Sequence, residues 1–168
     1  MQYRRAGLCL GLAANTSAAV KSGVYAAMTA CEDPTASWRL GHVRGLQALL
    51  SARFHGTDPK TRAPAPLCLH IGVDPATMKC RVDPSDPVGN NHTPHVRQCK
   101  VDTVPGKGGN PVGCGFAFDA ETGTITSKSC VDEPNSCLGV ANASDTALSI
   151  VSCQSGGARG WSMASLRR

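Results

Sequence analysis

The sequence predicts an all-β domain that is built from three copies of one repeat and cross-linked by disulfides. The first observation is a cassette that occurs three times. It reads Cys-Leu-x-aliphatic, then a short apolar strand ending in Cys, then an aromatic residue followed two places later by an apolar one. The second is a content of 18 glycines and 11 prolines, which favours short strands and turns over long helices. The third is the presence of nine cysteines, which indicates an oxidising compartment.

The three copies carry equivalent residues in the same order, and such a repeat outweighs local propensity in predicting an architecture. The Cys-Leu pairs occupy residues 9–10, 68–69 and 137–138. The closing cysteines are Cys31, Cys99 and Cys153, and the aromatic residues are Trp38, Phe116 and Trp161. We predict a single domain over residues 1–168, with repeats at approximately 1–52, 53–120 and 121–168.

This pattern resembles the ricin-type lectin repeat, three copies of which form a β-trefoil. The best local match runs from Phe116 to Ile125 and reads Phe-Ala-Phe-Asp-Ala-Glu-Thr-Gly-Thr-Ile. It is similar to the family's aromatic strand, Asp-x-x-Thr-Gly turn and following strand, and it continues through Ser127 to Cys137-Leu138. The resemblance implies a β-trefoil fold of three ricin-type repeats.

The resemblance also implies a disulfide pattern, in which the Cys of each Cys-Leu pair bonds the cysteine that closes the following strand. The implied pairs are Cys9–Cys31, Cys68–Cys99 and Cys137–Cys153. Each would stabilise the fold by roughly 3 kcal/mol on a chain-entropy estimate. Three further cysteines remain, and the sequence does not assign their partners: Cys80, Cys114 and Cys130.

The positions that bind sugar in this family are altered here. In a sugar-binding repeat, an Asp two places after the Cys of Cys-Leu accepts hydrogen bonds from sugar hydroxyls, and a Gln two places before the aromatic residue supports the site. The Asp position holds Gly11, His70 and Gly139, and the Gln position holds Ala36, Cys114 and Arg159. Since glycine has no side-chain acceptor, we expect the usual galactose sites to be absent.

Substitute ligand-binding residues are predicted at four positions: His70, Asp132, Asn135 and Gln154. The aromatic residues of the cassette, Trp38, Phe116 and Trp161, are predicted to be core residues. Tyr25 is the one aromatic in a region suited to stacking on a sugar, although a core role is expected for it too. Glycosylation sequons occur at Asn15, Asn91 and Asn142.

Three segments need separate interpretation. Residues 1–20 imitate a signal peptide, but Cys9-Leu10 falls where the repeat requires it, so we expect a structural first strand. Between Val43 and Phe54 the leucine spacing suits a short helix, whereas the trefoil expectation places a strand near residues 46–51. Residues 57–66 are predicted to form an exposed loop, because prolines cannot join a central ladder.

Several classes of function lack support. We expect no metal or cofactor site, because Cys80, His92, His95 and Cys99 match no common zinc spacing. No catalytic motif is found, and no run of about eighteen apolar residues encodes a membrane span. Nucleic acid is not an expected partner, since no basic stripe with interleaved aromatics occurs.

These observations predict a protein that is secreted, or that resides in the lumen of the secretory or lysosomal pathway. Its predicted role is that of a non-catalytic carbohydrate-binding or accessory module, which in this family is commonly appended to a larger glycoside-processing protein. The alternative is a structural scaffold whose loops at 41–66 and 81–113 bind another protein. A further alternative is binding of anionic glycans through residues 39–62, in a chain of net charge +5.

Overall fold

The computed structural model describes residues 1–13, 24–43, 45–58, 60–71, 94–99, 115–128, 135–140 and 146–165. Within these ranges the backbone forms twelve strands: β1 Gln2–Arg5, β2 Leu8–Leu12, β3 Ala26–Thr29, β4 Trp38–Val43, β5 Leu46–Thr57, β6 Pro64–His70, β7 His95–Gln98, β8 Phe116–Asp119, β9 Thr124–Ser127, β10 Ser136–Val140, β11 Leu148–Ser152 and β12 Ser162–Ala164. Two 3₁₀ turns, Pro34–Ala36 and Gly156–Ala158, follow β3 and β11. The described residues contain no α-helix, so the prediction of an all-β chain is confirmed.

The strands form three antiparallel sheets of four strands each. Their orders are β12-β1-β2-β3, β4-β5-β6-β7 and β8-β9-β10-β11, and we call them the first, second and third sheets. In every sheet the strand that carries Cys-Leu is the third, and it pairs with the strand that leads to the closing cysteine. The first sheet joins the two ends of the described chain, since Gln2 pairs with Ala164.

The same register recurs in all three sheets. The Leu of each Cys-Leu pair lies opposite the apolar residue three places before the closing cysteine, in the pairs Leu10–Met28, Leu69–Val96 and Leu138–Ile150. The closing strands also meet one another at their beginnings. The Ala26 amide donates to Pro94 O at 2.7 Å, and the Met28 amide donates to Thr146 O at 2.8 Å. The repeat in the sequence is therefore a repeat of strand pairing.

Two hairpin turns show how local sequence directs this pairing. Ala6 and Gly7 have φ values of 50° and 81°, as a two-residue type I′ turn between antiparallel strands requires. In the turn after β8, Asp119 Oδ2 accepts the Thr122 hydroxyl at 2.8 Å and Oδ1 accepts the Glu121 amide at 2.9 Å. These bonds, with that of the Thr122 side chain foremost, hold the pKa of Asp119 below its usual range.

One main core receives residues from all three sheets. The aromatic residues of the cassette are its largest repeated component, and Trp38, Phe116 and Trp161 are each at most 3% exposed. The Trp38 indole donates to Leu10 O at 2.8 Å, and the Trp161 indole donates to Leu138 O at 3.1 Å. A buried indole N–H needs such a partner, so these bonds tie each ring to a Cys-Leu strand. The predicted core role of the three aromatic residues is confirmed.

The second sheet is buried on both of its faces. Leu49 and Leu50 are neighbours on β5, Leu67 and Cys68 are neighbours on β6, and all four are completely buried. Successive side chains of a strand point to opposite faces. Leu49 and Leu67 belong to the main core, whereas Leu50 and Cys68 belong to a second, smaller cluster. We call the face that carries this second cluster the outer face, and His70, two places after Cys68, lies on it too.

Three disulfides link the pairs that the family resemblance implies: Cys9–Cys31, Cys68–Cys99 and Cys137–Cys153. Each joins a Cys-Leu strand to the end of its neighbour in the same sheet, where the register brings the two cysteines together. The predicted pairing is confirmed. Cys80, Cys114 and Cys130 lie outside the described residues.

The strand pairing also tests the expectations for three segments: residues 43–54, 57–66 and 8–12. The helix considered between Val43 and Phe54 is wrong, because β5 extends from Leu46 to Thr57. The exposed loop predicted at 57–66 is shorter than expected, because β6 begins at Pro64. Pro66 O accepts the Cys99 amide at 3.1 Å, so the missing N–H of Pro66 faces away from β5 and does not interrupt that pairing. Leu8–Leu12 is a strand, as expected.

Candidate ligand-binding site

The residue that follows Leu in each Cys-Leu strand occupies an equivalent position in the three sheets. Gly11 lies opposite Ala27, His70 opposite His95, and Gly139 opposite Ser149. In the sugar-binding ricin-type repeats that the sequence resembles, the Asp occupies this position. The structure therefore allows a direct comparison of what each copy places there.

In the first and third sheets this position is closed. A Cβ atom on Gly11 would collide with Thr29 Oγ1 and would lie 2.8 Å from Thr35 Oγ1. A Cβ atom on Gly139 would lie 2.5 Å from Gly157 O and 2.6 Å from Val151 Cγ2. Contacts below 3.0 Å require the neighbours to move, so neither position accepts a side chain without strain.

The obstruction comes both from the neighbouring strand, through Thr29 on β3 and Val151 on β11, and from the 3₁₀ turn that follows each of these strands. Asp33 Oδ1 caps the first turn by accepting the Thr35 amide at 2.7 Å. Thr35 Oγ1 then accepts the Leu12 amide at 3.0 Å, which holds this turn against β2. The second turn brings the backbone of Gly157 against β10. The two glycines therefore allow close packing against β2 and β10, and neither glycine offers a side-chain acceptor to a ligand.

The second sheet has a different arrangement at this position. His70 and His95 are directly opposite on β6 and β7, with ring centroids 4.9 Å apart and an interplanar angle of 55°. Tyr25 forms an isolated bridge with His95 from the other side of β7. Since directly opposite residues of antiparallel strands share a face, these three side chains form a line, which we call the Tyr25–His95–His70 row.

Backbone hydrogen bonds fix the place of Tyr25 in this row. The Val96 amide donates to Val24 O at 2.8 Å, and the Ala26 amide donates to Pro94 O at 2.7 Å. These bonds flank the bridge, which makes Tyr25 and His95 a non-hydrogen-bonded pair, the type in which side chains approach most closely. Tyr25 is half-buried, so the expected core role is wrong and its ring is partly accessible.

His70 is the most buried member of the row, with only 8% of its surface exposed. Burial, together with the positive charges of His95 and Arg97, lowers the pKa of His70 to about 3. The imidazole is therefore neutral near pH 7, when one ring nitrogen can accept a hydrogen bond. Its Nδ1 atom is buried without a hydrogen-bond partner in the part of the chain that the structure describes.

The other ligand-binding predictions fall elsewhere. Asn135 and Gln154 are exposed and lie together at one end of the β10–β11 hairpin, where the Cys153 amide donates to Asn135 O at 2.6 Å. They belong to the third sheet, whereas His70 belongs to the second. Asp132 lies outside the described residues. The four predicted residues therefore do not form one site.

The basic region considered for anionic glycans lies on the second sheet and its β5–β6 turn. Of its described basic side chains, His42 is half-buried and the others are exposed: Arg39, Arg53, His55, Lys60 and Arg62. Asp58 Oδ1 organises the turn by accepting the amides of Lys60 at 2.8 Å and Thr61 at 2.9 Å. These bonds, first that from Thr61, lower the pKa of Asp58. The region thus carries basic side chains on β4, on β5 and in one ordered turn.

Several other expectations concern sites that the structure addresses only in part. The glycosylation residues Asn15, Asn91 and Asn142 lie outside the described ranges. Of the zinc set that the sequence disfavours, Cys99 is bonded to Cys68, while Cys80 and His92 are not described. Among the described residues, no three His, Cys, Asp or Glu side chains are grouped to hold a metal ion. Nor does any helix among them have the length and apolar character needed to cross a membrane.

The sequence analysis missed the pairing of His95 with His70. The signal was available in the repeat itself, since the residue two places after the first Cys pairs with the residue four places before the closing Cys. Applied to the second copy, that rule places His70 opposite His95.

Comparison with protein-family models gave no match to this chain. Searches of curated proteins and of solved structures gave none either. The fold and the site therefore define the class by themselves: an all-β protein of three four-stranded antiparallel sheets with intrachain disulfides.

Proposed function

We propose that the chain is a β-trefoil of three ricin-type repeats and acts as a non-catalytic carbohydrate-binding or accessory module. Three features support the trefoil. The aromatic strand of each copy pairs with the next strand along the chain, or with β1 after the last copy. All three copies share one register, and all three share one disulfide position.

The observation that carries the binding function is the Tyr25–His95–His70 row. In the second copy, the position of the family's Asp carries a polar side chain, His70, which belongs to this row. The other two copies have glycine at this position. A neutral imidazole can accept from a sugar hydroxyl, and the partly accessible Tyr25 ring can stack on the apolar face of a sugar. His95 lies between them. Together they supply the two kinds of contact that a shallow sugar site needs.

The three intrachain disulfides support residence in an oxidising compartment. We propose that the protein is secreted, or held in the lumen of the secretory or lysosomal pathway. Carbohydrate is the proposed ligand in either location.

A glycan array tests the proposal. The oxidised chain is applied with a chelator present, at low and at physiological salt, beside the variants Tyr25→Ala and His55→Ala. We expect selective binding to neutral sugars, reduced roughly two- to tenfold by Tyr25→Ala because a stacked ring contributes about 0.5–1.5 kcal/mol. His55 is exposed on β5, so His55→Ala serves as the control and should bind normally.

Other outcomes of the array are informative. Binding to sulfated glycans alone, lost at higher salt, would transfer the function to the basic residues 39–62, since salt screens exposed charges. An array without binding would reject the lectin function.

The second candidate is a scaffold that binds another protein. The observation in its favour is the closure of the first and third Asp positions, where Gly11 and Gly139 admit no side chain. In two of the three copies, close packing therefore occupies the position where the family has its sugar acceptor. A silent array followed by capture of one defined protein partner, released on deletion of the β5–β6 turn, would favour this candidate.

A further inference from the structure

The pairing of His70 with His95 supports a use that goes beyond sugar binding and does not rest on it. The two residues are directly opposite on neighbouring strands, and their ring centroids are 4.9 Å apart. Bonds from imidazole nitrogen to Zn²⁺ are about 2.0–2.1 Å long. Two imidazoles at this separation, on one face of a sheet, can therefore each offer a nitrogen to the same ion.

We infer that His70 and His95 form a binding site for a divalent late first-row transition metal, of the Zn²⁺ or Cu²⁺ type. Imidazole nitrogen is a preferred ligand of these ions. A second observation points the same way: His70 is 8% exposed, and its Nδ1 has no hydrogen-bond partner among the described residues. A buried polar atom without a partner is costly, and coordination by Nδ1 would supply one.

The pair defines an open site of moderate affinity. The described residues provide two ligands, and no third His, Cys, Asp or Glu is grouped with them. Water or an external ligand completes the coordination, as at metal sites that keep an open position. Arg97, two places from His95 on β7 and exposed, opposes a bound cation. Cu²⁺ should bind more tightly than Zn²⁺, following the general order for nitrogen ligands.

Titration of the oxidised chain with Zn²⁺ and Cu²⁺ tests the inference. Free thiols are alkylated first, because nine cysteines cannot all be paired within one chain. We expect one site, measured by calorimetry, and a rise in Tm on adding Zn²⁺, since binding to the folded state stabilises it. The electron paramagnetic resonance spectrum of the Cu²⁺ complex should show coupling to two imidazole nitrogens.

The variants identify the ligands. His95→Gln should weaken the affinity for the metal by about tenfold or more. Loss of a residue that only hydrogen-bonds to a metal ligand already costs about 10- to 100-fold in affinity, and His95 is proposed as a ligand itself. His70→Ala should do the same. His55→Gln removes an exposed histidine of β5 and should leave affinity and Tm shift unchanged. Because His95 is only half-buried, His95→Gln remains informative if His70→Ala fails to fold.

Arg97→Gln is expected to tighten binding, since it removes the nearby positive charge. Equal affinity in wild type and His95→Gln would overturn the inference, as would a Cu²⁺ spectrum without two imidazole nitrogens. Weaker metal binding in Arg97→Gln would also count against it. None of these measurements uses a glycan, so failure here and failure of the lectin proposal are separate results.

Discussion

The first and third Cys-Leu strands carry glycine at the register position where the second carries His70, and this difference separates packing from chemistry. Gly11 and Gly139 lie where a Cβ atom would meet neighbouring atoms at less than 3.0 Å. His70 occupies the same register position and carries a buried ring paired with His95. The glycines are therefore required by the close approach of the neighbouring strand and of the 3₁₀ turn that follows it. The absence of a side chain at two of the three positions thus has a structural cause, and the third position carries a polar side chain.

The largest expected effect is the loss of one of the disulfides that the three copies share. Removing a disulfide by a double Cys→Ala change should cost about 3–4 kcal/mol of unfolding free energy, through the entropy of the unfolded chain. The sequence separations are 31 for Cys68–Cys99, 22 for Cys9–Cys31 and 16 for Cys137–Cys153. The cost should therefore be greatest in the second copy. Urea denaturation of the three double variants would measure the order, and a reversed order would show that native-state effects dominate.

The next largest effect is expected when a side chain is placed at one of the closed positions, Gly139. Gly139→Ala should destabilise the fold by about 2–3 kcal/mol, because its Cβ would lie 2.5 Å from the backbone oxygen of Gly157. Gly156→Ala is the matched control in the same region, since a Cβ there meets nothing within 4 Å. It should change stability by less than about 0.5 kcal/mol. Equal denaturation midpoints for the two variants would mean that the turn moves aside readily and that glycine is not required.

A smaller effect concerns the aromatic residues, two of which are Trp where the second copy has Phe. Trp161→Phe removes the indole donor to Leu138 O and leaves a buried carbonyl without that partner. We expect a loss of about 1–2 kcal/mol, measurable by thermal unfolding. The reference is Phe118→Leu, a change of a partly buried aromatic residue that removes no such hydrogen bond. Full stability of Trp161→Phe would show that Leu138 O finds another donor.

The disulfides could be predicted because the cysteines recur at matched positions and the family resemblance that they carry implies the three pairs. The apolar residues Met28, Val96 and Ile150 also recur, but the register in which they pair became evident only in the structure. The strand β5 was harder to predict. Its buried residues face two apolar clusters, so the alternation that marks a half-buried strand is missing.

The site was less predictable because it depends on contacts between segments far apart in the chain. His70 was identified from its position in the repeat, but its partner His95 became evident only from the cross-strand register. The closure at Gly11 depends on Thr29, which lies on the paired strand β3, and on Thr35, which belongs to the 3₁₀ turn after that strand. A glycine in a sequence does not reveal whether the space beside it is open to a ligand or occupied by neighbouring protein atoms.

The smallest effect is the dependence of stability on pH that His70 of the second copy should contribute. The folded pKa of His70 is lowered to about 3, whereas the unfolded value is about 6.5. Between these values the unfolded chain binds the extra proton, so stability falls as pH falls below about 6.5 and the decline ends near pH 3. The slope cannot exceed about 1.4 kcal/mol per pH unit for one group, which gives about 1 kcal/mol at pH 5.5.

Urea denaturation in the presence of a chelator, at pH 7.5, 6.5 and 5.5, would measure this dependence. His70→Gln should flatten the profile over that range, because a side chain that does not titrate replaces the buried imidazole. His55→Gln should retain the slope of the wild type, since His55 is exposed and the substitution leaves the buried imidazole of His70 in place. An unchanged slope in His70→Gln would mean that His70 is solvated and protonated in the folded protein. In that case the second copy would be polar but not buried, and its contrast with the closed glycine positions would be one of accessibility alone.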